Sequence, residues 1–181
     1  MPTIHLHQST TSTPEQFVAG LTDFGPGRSE LLGNPEWTAD RLAIRALIDA
    51  YAHFADRRKP EEQAALYAED GRTFVYNGDS STSEPVQVLA GRAEHAEGFK
   101  VLSQYVATSH FNGQSTVTLN GDRATGETYC LAHHLLETDE GRTLIVMSIR
   151  YEDTFVKHDD TWLFAERKLI IDWTDTRPSQ Q

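Results

Sequence analysis

The fold is decided by the stretch His110–Trp173, which is HFNGQSTVTLNGDRATGETYCLAHHLLETDEGRTLIVMSIRYEDTFVKHDDTWLFAERKLIIDW. It consists of four long extended segments that are separated by short turns. Asn120-Gly121, between the first two segments, is a strong β-hairpin signal. The predicted strands are His110–Leu119, Ala124–Glu137, Arg142–Lys157 and Thr161–Trp173. Consecutive strands with short connections predict a four-strand antiparallel meander.

Helical spacing marks the chain before this stretch. Apolar residues at helical intervals predict a helix from about Thr38 to Arg57-Arg58, whose positive charges suit a helix C-terminus. These apolar residues are Leu42, Ile44, Leu47, Ile48, Tyr51, Ala52 and Ala55. The elements predicted next are a helix from Pro60 to about Tyr67, a strand over Arg72–Tyr76 and a third helix over Glu94–Val106.

Helices followed by a meander are typical of an α+β fold. We expect a strongly curved antiparallel or mixed sheet wrapped around three helices, a cone-shaped α+β barrel with a pocket in its concave face. This main domain is predicted over residues 35–176, with a tail over 177–181. Residues 1–34 are predicted to form an N-terminal arm with a strand over Thr3–Ser9 and a helix that begins at Thr13.

Composition excludes several classes of protein. The 181 residues carry a net charge of −11, and a field of that sign repels phosphate backbones and anionic lipids. Neither nucleic acid nor a membrane is therefore expected as a partner. No apolar run approaches the length of a membrane span, and the N-terminus lacks the pattern of a signal peptide. With Cys130 as the one cysteine, the sequence is compatible with the reducing cytoplasm, where we expect the protein.

Two residues are the first candidates for acid–base chemistry. Asp56 follows the buried face of the first predicted helix, and His110 begins a predicted strand. A carboxylate beside a histidine in a dry pocket is a common general acid–base arrangement. The alternatives are that Asp56 pairs with Arg57 or Arg58 or caps the next helix, and that His110 is an edge or core histidine.

A third candidate is His134, since strand alternation puts it and His133 on opposite faces of the sheet. His134 shares its face with the small residues Cys130 and Thr128, which leaves space for a ligand. Periodicity alone does not say which of the two faces is the concave one.

Charged residues inside apolar strands need a partner or a ligand. They are Arg150, Arg167 and Asp172. A buried arginine in a strand needs a carboxylate partner or binds a polar substrate atom, whereas an outward-facing one is ordinary surface charge.

A metal set of Asp56, His110 and His134 is conceivable. However, the sequence has neither the spacing of a known metal motif nor a glycine-rich nucleotide loop. We therefore expect no metal and no cofactor.

Residues 35–176 resemble a SnoaL-like domain of the nuclear-transport-factor-2-like superfamily. The segments that carry the resemblance are Ile44–Ala52 with Asp56, Ala64–Gly71, Gly91–Glu94 and Asp160–Phe164. Within the superfamily, the motifs are most similar to those of the scytalone dehydratases and the γ-hexachlorocyclohexane dehydrochlorinases. The resemblance implies an Asp–His dyad of Asp56 and His110, a second pocket histidine, His134, and a pocket arginine, Arg167.

The resemblance implies a cofactor-free lyase, of dehydratase or dehydrohalogenase type, or an isomerase that acts on a small apolar or aromatic cyclic substrate. His110 would remove a proton, Asp56 would orient it, and His134 or Arg167 would act on a leaving hydroxyl or a carbonyl oxygen. The candidate pocket residues are Tyr76, Phe99, Leu102, Cys130 and Trp173. A polyketide-cyclase-like enzyme and a non-catalytic ligand-binding or assembly module are the alternatives. Members of the superfamily often form homodimers or homotrimers, and we expect the same here.

Overall fold

The computed structural model describes residues 35–139 and 141–179. The predicted N-terminal arm, residues 1–34, lies outside these residues, and its strand and helix remain predictions. From Asp40 onward the chain forms one compact unit. The helices and strands of the described chain are α1 Pro35–Asp56, α2 Pro60–Ala64, β1 Tyr67–Asn77, β2 Gln87–Ala90, α3 Gly91–Phe99, a 3₁₀ helix Lys100–Gln104, β3 Ala107–Asn120, β4 Arg123–Thr138, β5 Gly141–His158 and β6 Thr161–Pro178.

Helix α1 forms because one of its faces is apolar at helical spacing. Its buried residues are Ile44, Leu47, Ile48, Tyr51, Ala52 and Ala55. Leu42, which we placed in the same apolar repeat, is instead 66% exposed, because it lies two positions from Ile44 and hence on another face. The helix also begins a few residues earlier than predicted and ends at Asp56, directly before Arg57.

The four long strands β3 to β6 form the predicted antiparallel meander. Tight turns join them, in which Gly121, Gly141, Asp159 and Asp160 all adopt positive φ angles. The sheet continues beyond the meander, because β1 pairs in parallel with β6 and β2 pairs antiparallel with β1. The strand order is therefore β2-β1-β6-β5-β4-β3, a mixed six-stranded sheet.

The α+β class and the curved mixed sheet around three helices are confirmed, but the sheet does not close into a barrel. Strands β2 and β3 are its two edges. A closed barrel of about eight strands has an interior just wide enough for side chains. A six-stranded sheet that packs a helix against its inner face therefore stays open.

The core lies between α1 and the inner face of the sheet. Along β4, Thr128, Cys130, Ala132 and His134 are all buried, whereas Tyr129 and Leu131 are exposed. The alternation is the one that the sequence predicts, and it places His134 on the inner face and His133 on the outer face.

Candidate active site

A cavity of about 200 Å³ opens between α1, α3 and the inner face of the sheet. Most of its wall is apolar. The apolar lining residues include Val75, Leu89, Phe99, Leu102, Met147, Ile149, Leu169 and Ile171, and the polar ones include Tyr51, Thr73, His110, His134 and Tyr151. The cavity contains two of the predicted wall residues, Phe99 and Leu102, and both predicted histidines.

Asp56 and His110 form a close pair at one end of the cavity. Asp56 is the last residue of α1, and His110 lies near the start of β3. The His110 Nδ1 atom is 2.7 Å from Asp56 Oδ1, and the His110 backbone N–H donates to Asp56 Oδ2 at 3.0 Å. Side chain and backbone of one residue therefore hold both oxygens of the carboxylate, and the spacing suits a working acid–base pair.

Asp56 is held in its ionised form. Burial raises the pKa of the Asp56 carboxyl, but the hydrogen bonds from His110 and from the Thr108 hydroxyl outweigh burial, so that the pKa lies below its ordinary value. An ionised carboxylate can only accept hydrogen bonds, so His110 Nδ1 must carry a proton. In the neutral form of His110, the lone pair then lies on the other ring nitrogen, Nε2, at the cavity.

His134 lies beside this lone pair. Its Nε2 atom is 3.4 Å from Nε2 of His110, and its ring lies 4.5 Å from that of Tyr105. Burial lowers the pKa of His134 to about 4, and repulsion by Arg58 and by the protonated form of His110 acts in the same direction. His134 is therefore neutral at neutral pH, and its Nδ1 atom is buried without a hydrogen-bond partner among the described residues.

The Asp56 carboxylate pairs with His110 and not with a neighbouring arginine, which was the alternative. Arg58 donates to the Asp56 backbone carbonyl at 3.3 Å and to the Thr108 hydroxyl at 2.7 Å. Its link to the carboxylate is therefore indirect and runs through Thr108.

Arg167 is not brought to the cavity. It is fully buried and forms a bidentate ion pair with Asp153, in which Nε and Nη2 each donate at 2.8 Å. Its guanidinium stacks 4.2 Å from the ring of Tyr51 and 4.1 Å from that of Tyr151, both of which line the cavity. Of the two alternatives for Arg167, the structure shows the buried arginine with a carboxylate partner. Asp153 and the aromatic rings contact the guanidinium, and among the described residues its Nη1 atom has no hydrogen-bond partner.

Three further predicted wall residues do not line the cavity. Tyr76 is buried, but it follows Val75, which lines the cavity, and alternation sends its side chain to the other face of β1. Cys130 is buried in the core beside Tyr151, and burial raises the pKa of its thiol to about 11. Trp173 is 51% exposed.

The position of Trp173 has a specific cause. Ser148 of β5 pairs with Trp173, whereas Ile149 pairs with Ile171, so Asp172 is an extra residue in β6. Such a β-bulge reverses the alternation of side chains. Ile171 lines the cavity, and without the bulge Trp173 would lie on the same face.

Several polar residues at the site have no local sequence signal. Thr108 is part of the Asp56 network. Thr73 lines the cavity, and its Oγ1 atom is 2.9 Å from the Tyr67 hydroxyl oxygen and 2.9 Å from Nε2 of the buried His95. These contacts join residues that are distant in sequence, and only the sheet register could have indicated them.

The cavity is uncharged apart from its histidines. None of the described residues that line it is Asp, Glu, Lys or Arg. Among residues 35–139 and 141–179, no group of three or more His, Cys, Asp and Glu side chains is arranged to hold a metal ion.

No helix in the same part of the chain is both long and apolar enough to cross a membrane.

Fold and site together define an α+β protein of the nuclear-transport-factor-2-like fold, with an Asp–His pair beside a largely apolar cavity. Residues 36–168 match the model of the SnoaL-like domain, and the chain belongs to this family. A search of curated proteins gave no significant match.

Solved structures show the same fold. A candidate scytalone dehydratase from Novosphingobium aromaticivorans is 23% identical, with a TM-score of 0.67 over 79% of this chain and 91% of that one. Hexachlorocyclohexane dehydrochlorinase LinA-type3 from Novosphingobium barchaimii is 16% identical, with a TM-score of 0.68 over 82% and 97%. The β subunit of a candidate aromatic-ring-hydroxylating dioxygenase from N. aromaticivorans is 19% identical, with a TM-score of 0.63 over 75% and 91%. At these identities the likeness concerns the fold, which hosts several activities.

Proposed function

We propose that the protein is a cofactor-free lyase or isomerase that removes a proton from carbon in a small, neutral, cyclic substrate. The observation that carries the proposal is the Asp56–His110 pair, whose Nδ1–Oδ1 distance of 2.7 Å commits Nδ1 to the carboxylate and leaves Nε2 for a substrate at the wall of an apolar cavity. The His110 side chain is only 8% exposed, so water does not compete freely for this nitrogen.

In the proposed reaction, His110 Nε2 takes a proton from a carbon next to an electron-withdrawing group. The electron pair of the broken C–H bond forms a double bond and expels a hydroxide or halide ion. In an isomerisation it instead forms an enolate, which takes the proton back from His110 at another carbon. Asp56 stabilises the imidazolium that His110 becomes, as carboxylates do for catalytic histidines. Neutral His134, 3.4 Å from the base, can donate a hydrogen bond to the leaving group or the oxygen.

The cavity sets the size and charge of the substrate. An engineered cavity of roughly 150 Å³ binds benzene. The cavity of about 200 Å³ therefore suits one six-membered ring with a few substituents. A charged substrate group would lose its hydration without meeting an opposite charge on the wall, so a neutral substrate is favoured.

The test incubates the protein in D₂O with a panel of neutral cyclic alcohols, ketones and halides. Proton NMR then monitors hydrogen exchange and elimination in each compound. Exchange of a C–H hydrogen reports proton removal even when no group leaves. We expect His110→Ala and Asp56→Asn to lower the rate by roughly 10²–10⁴-fold, the usual contribution of a general acid–base group.

His133→Ala is the matched control, because His133 lies on the outer face of the same strand. Full activity in His110→Ala would contradict the mechanism. If Asp56→Asn abolished activity and His110→Ala did not, Asp56 would be the principal acid–base group, as in the polyketide-cyclase-like alternative. Ligand binding without exchange for any compound of the panel would favour the binding module.

A further inference from the structure

Arg58 adopts an unusual backbone conformation directly after α1. Its positive φ angle lies in the left-handed region, which residues other than glycine rarely occupy. Such a conformation persists when the surrounding contacts impose it, and it often marks a functional site. The contacts of the Arg58 guanidinium explain why the conformation is kept here.

The guanidinium joins the two elements that carry Asp56 and His110. On the side of α1, Arg58 Nη1 donates to the backbone carbonyls of Ala55 and Asp56 at 3.0 and 3.3 Å. On the side of β3, Nη1 donates to the Thr108 hydroxyl at 2.7 Å, and Nη2 donates to the Tyr105 carbonyl at 3.2 Å. One planar fork therefore clamps the end of α1 to the start of β3.

The clamp also sets the direction of the Thr108 hydroxyl. Because Thr108 Oγ1 accepts a hydrogen bond from Arg58, its own hydrogen is free to point to Asp56 Oδ1, which lies 2.9 Å away. Asp56 Oδ1 thus accepts from Thr108 and from His110 Nδ1, while Oδ2 accepts from the His110 backbone. Among the described residues, the titratable or charged groups near this carboxylate include His110, His134, Arg58 and Cys130.

We infer that Arg58 and Thr108 are positioning residues: Arg58, acting through the Thr108 hydroxyl, holds the Asp56 carboxylate ionised and aimed at His110 Nδ1. Neither Arg58 nor Thr108 lines the cavity, so both are placed to act through Asp56 and not on a substrate directly. The inference rests on the proposed function for its effect on catalysis, but the state of the carboxylate can be measured without a substrate.

The test is a ¹³C NMR titration of the Asp56 carboxyl in the full chain. Thr108→Val has nearly the shape of threonine but no hydroxyl. We expect its Asp56 to bind a proton about tenfold more tightly, because one hydrogen bond to the ionised form is lost. Thr108→Ser keeps the hydroxyl and should titrate like the parent chain.

Two arginine variants separate charge from geometry. Arg58→Lys keeps the positive charge but cannot form the planar fork that reaches several acceptors at once. We expect Arg58→Lys and Arg58→Gln to raise the proton affinity of Asp56 alike and to speed hydrogen exchange at the His110 amide, which donates to Asp56 Oδ2. Arg57→Gln, at the exposed neighbouring arginine, is the matched control.

An unchanged Asp56 titration in Thr108→Val, with a native near-ultraviolet circular dichroism spectrum, would overturn the inference. The Thr108→Val titration tests the inference even if the Arg58 variants do not fold. Failure of the inference and failure of the proposed function are distinguishable. If Thr108→Val shifts the Asp56 titration but no substrate is turned over, only the proposed function fails. If Asp56→Asn abolishes turnover but Thr108→Val leaves the Asp56 titration unchanged, only the inference fails.

Discussion

At the residue scale, the buried side chain of His134 makes the free energy of unfolding depend on pH. Its pKa is lowered by burial, by His110 and by Arg58 to about 4, while a histidine in the unfolded chain has its ordinary value of 6.5. Between these two pH values the unfolded chain binds a proton that the folded chain does not. The free energy of unfolding therefore falls as the pH is lowered from 6.5 to 4, by at most about 3 kcal/mol for this residue.

We predict that His134→Gln makes the free energy of unfolding less dependent on pH between 6.5 and 4. Urea unfolding at several pH values measures it. His133→Gln, which changes the adjacent histidine on the outer face, should keep the pH dependence of the parent chain. An equal pH dependence in His134→Gln and in the parent chain would contradict the assignment of His134 as a buried neutral imidazole.

The buried ion pair of Arg167 and Asp153 makes a second prediction at this scale. Asp153→Leu should lower the free energy of unfolding by about 3–5 kcal/mol, because it leaves a guanidinium charge buried without its partner. The double variant Asp153→Leu/Arg167→Met should recover most of this loss, since an apolar pair of similar volume needs no hydrogen bonds. Urea unfolding of the single and double variants measures both effects, and a double variant no more stable than the single one would contradict the prediction.

At the scale of the elements, the close approach of β3 to β4 depends on Gly126. A Cβ atom at this position would lie 2.5 Å from the backbone oxygen of Thr116 on β3, which cannot move without shifting the strand. We predict that Gly126→Ala destabilises the protein by about 1–3 kcal/mol, the usual cost of overpacking. Gly113→Ala is the control, since a Cβ there would meet no atom closer than 3.6 Å. Thermal unfolding compares the two variants, and equal stability would contradict the prediction.

The same strand β3 is tied to α1 near its irregular region. Asn112 Nδ2 donates to the Ile48 carbonyl at 3.2 Å, and Arg45 Nη1 donates to the Gly113 carbonyl at 3.0 Å. The pairing of β3 with β4 shifts in register between Asn112 and Ser115. The helix that carries Asp56 and the strand that carries His110 are thus joined at this point, away from the Arg58 clamp.

At the scale of the whole molecule, the negative net charge and the lack of cationic side chains on the described cavity wall should favour binding of neutral ligands over anionic ones. The chain has a net charge of −11, and no described lining residue of the cavity is a lysine or arginine. We predict that benzyl alcohol raises the melting temperature more than benzoate at the same concentration, since the two differ mainly in charge. Differential scanning fluorimetry at low and moderate salt measures the difference. Stronger stabilisation by benzoate would reveal a cationic site and contradict the prediction.

The expected homodimer or homotrimer stays a prediction. Phe111, Leu131, Ser148 and Trp173 are paired in one row across four strands, and the three large side chains of this row are exposed. The mass of the particle in solution, measured by sedimentation equilibrium, decides the oligomeric state.

The sequence by itself determined helix α1 and the four-stranded meander, and it predicted that Asp56 and His110 form a pair. Periodicity within one segment defined α1 and the meander, and alternation along β4 separated His134 from His133, because these patterns depend on local backbone geometry alone. A family motif added Asp56 and His110. The tertiary structure alone decided the parallel pairing of β1 with β6, the bulge that turns Trp173 outward, and the partners of Arg167 and Arg58. These features depend on which distant segments meet and in which register, and a local pattern carries no information about either.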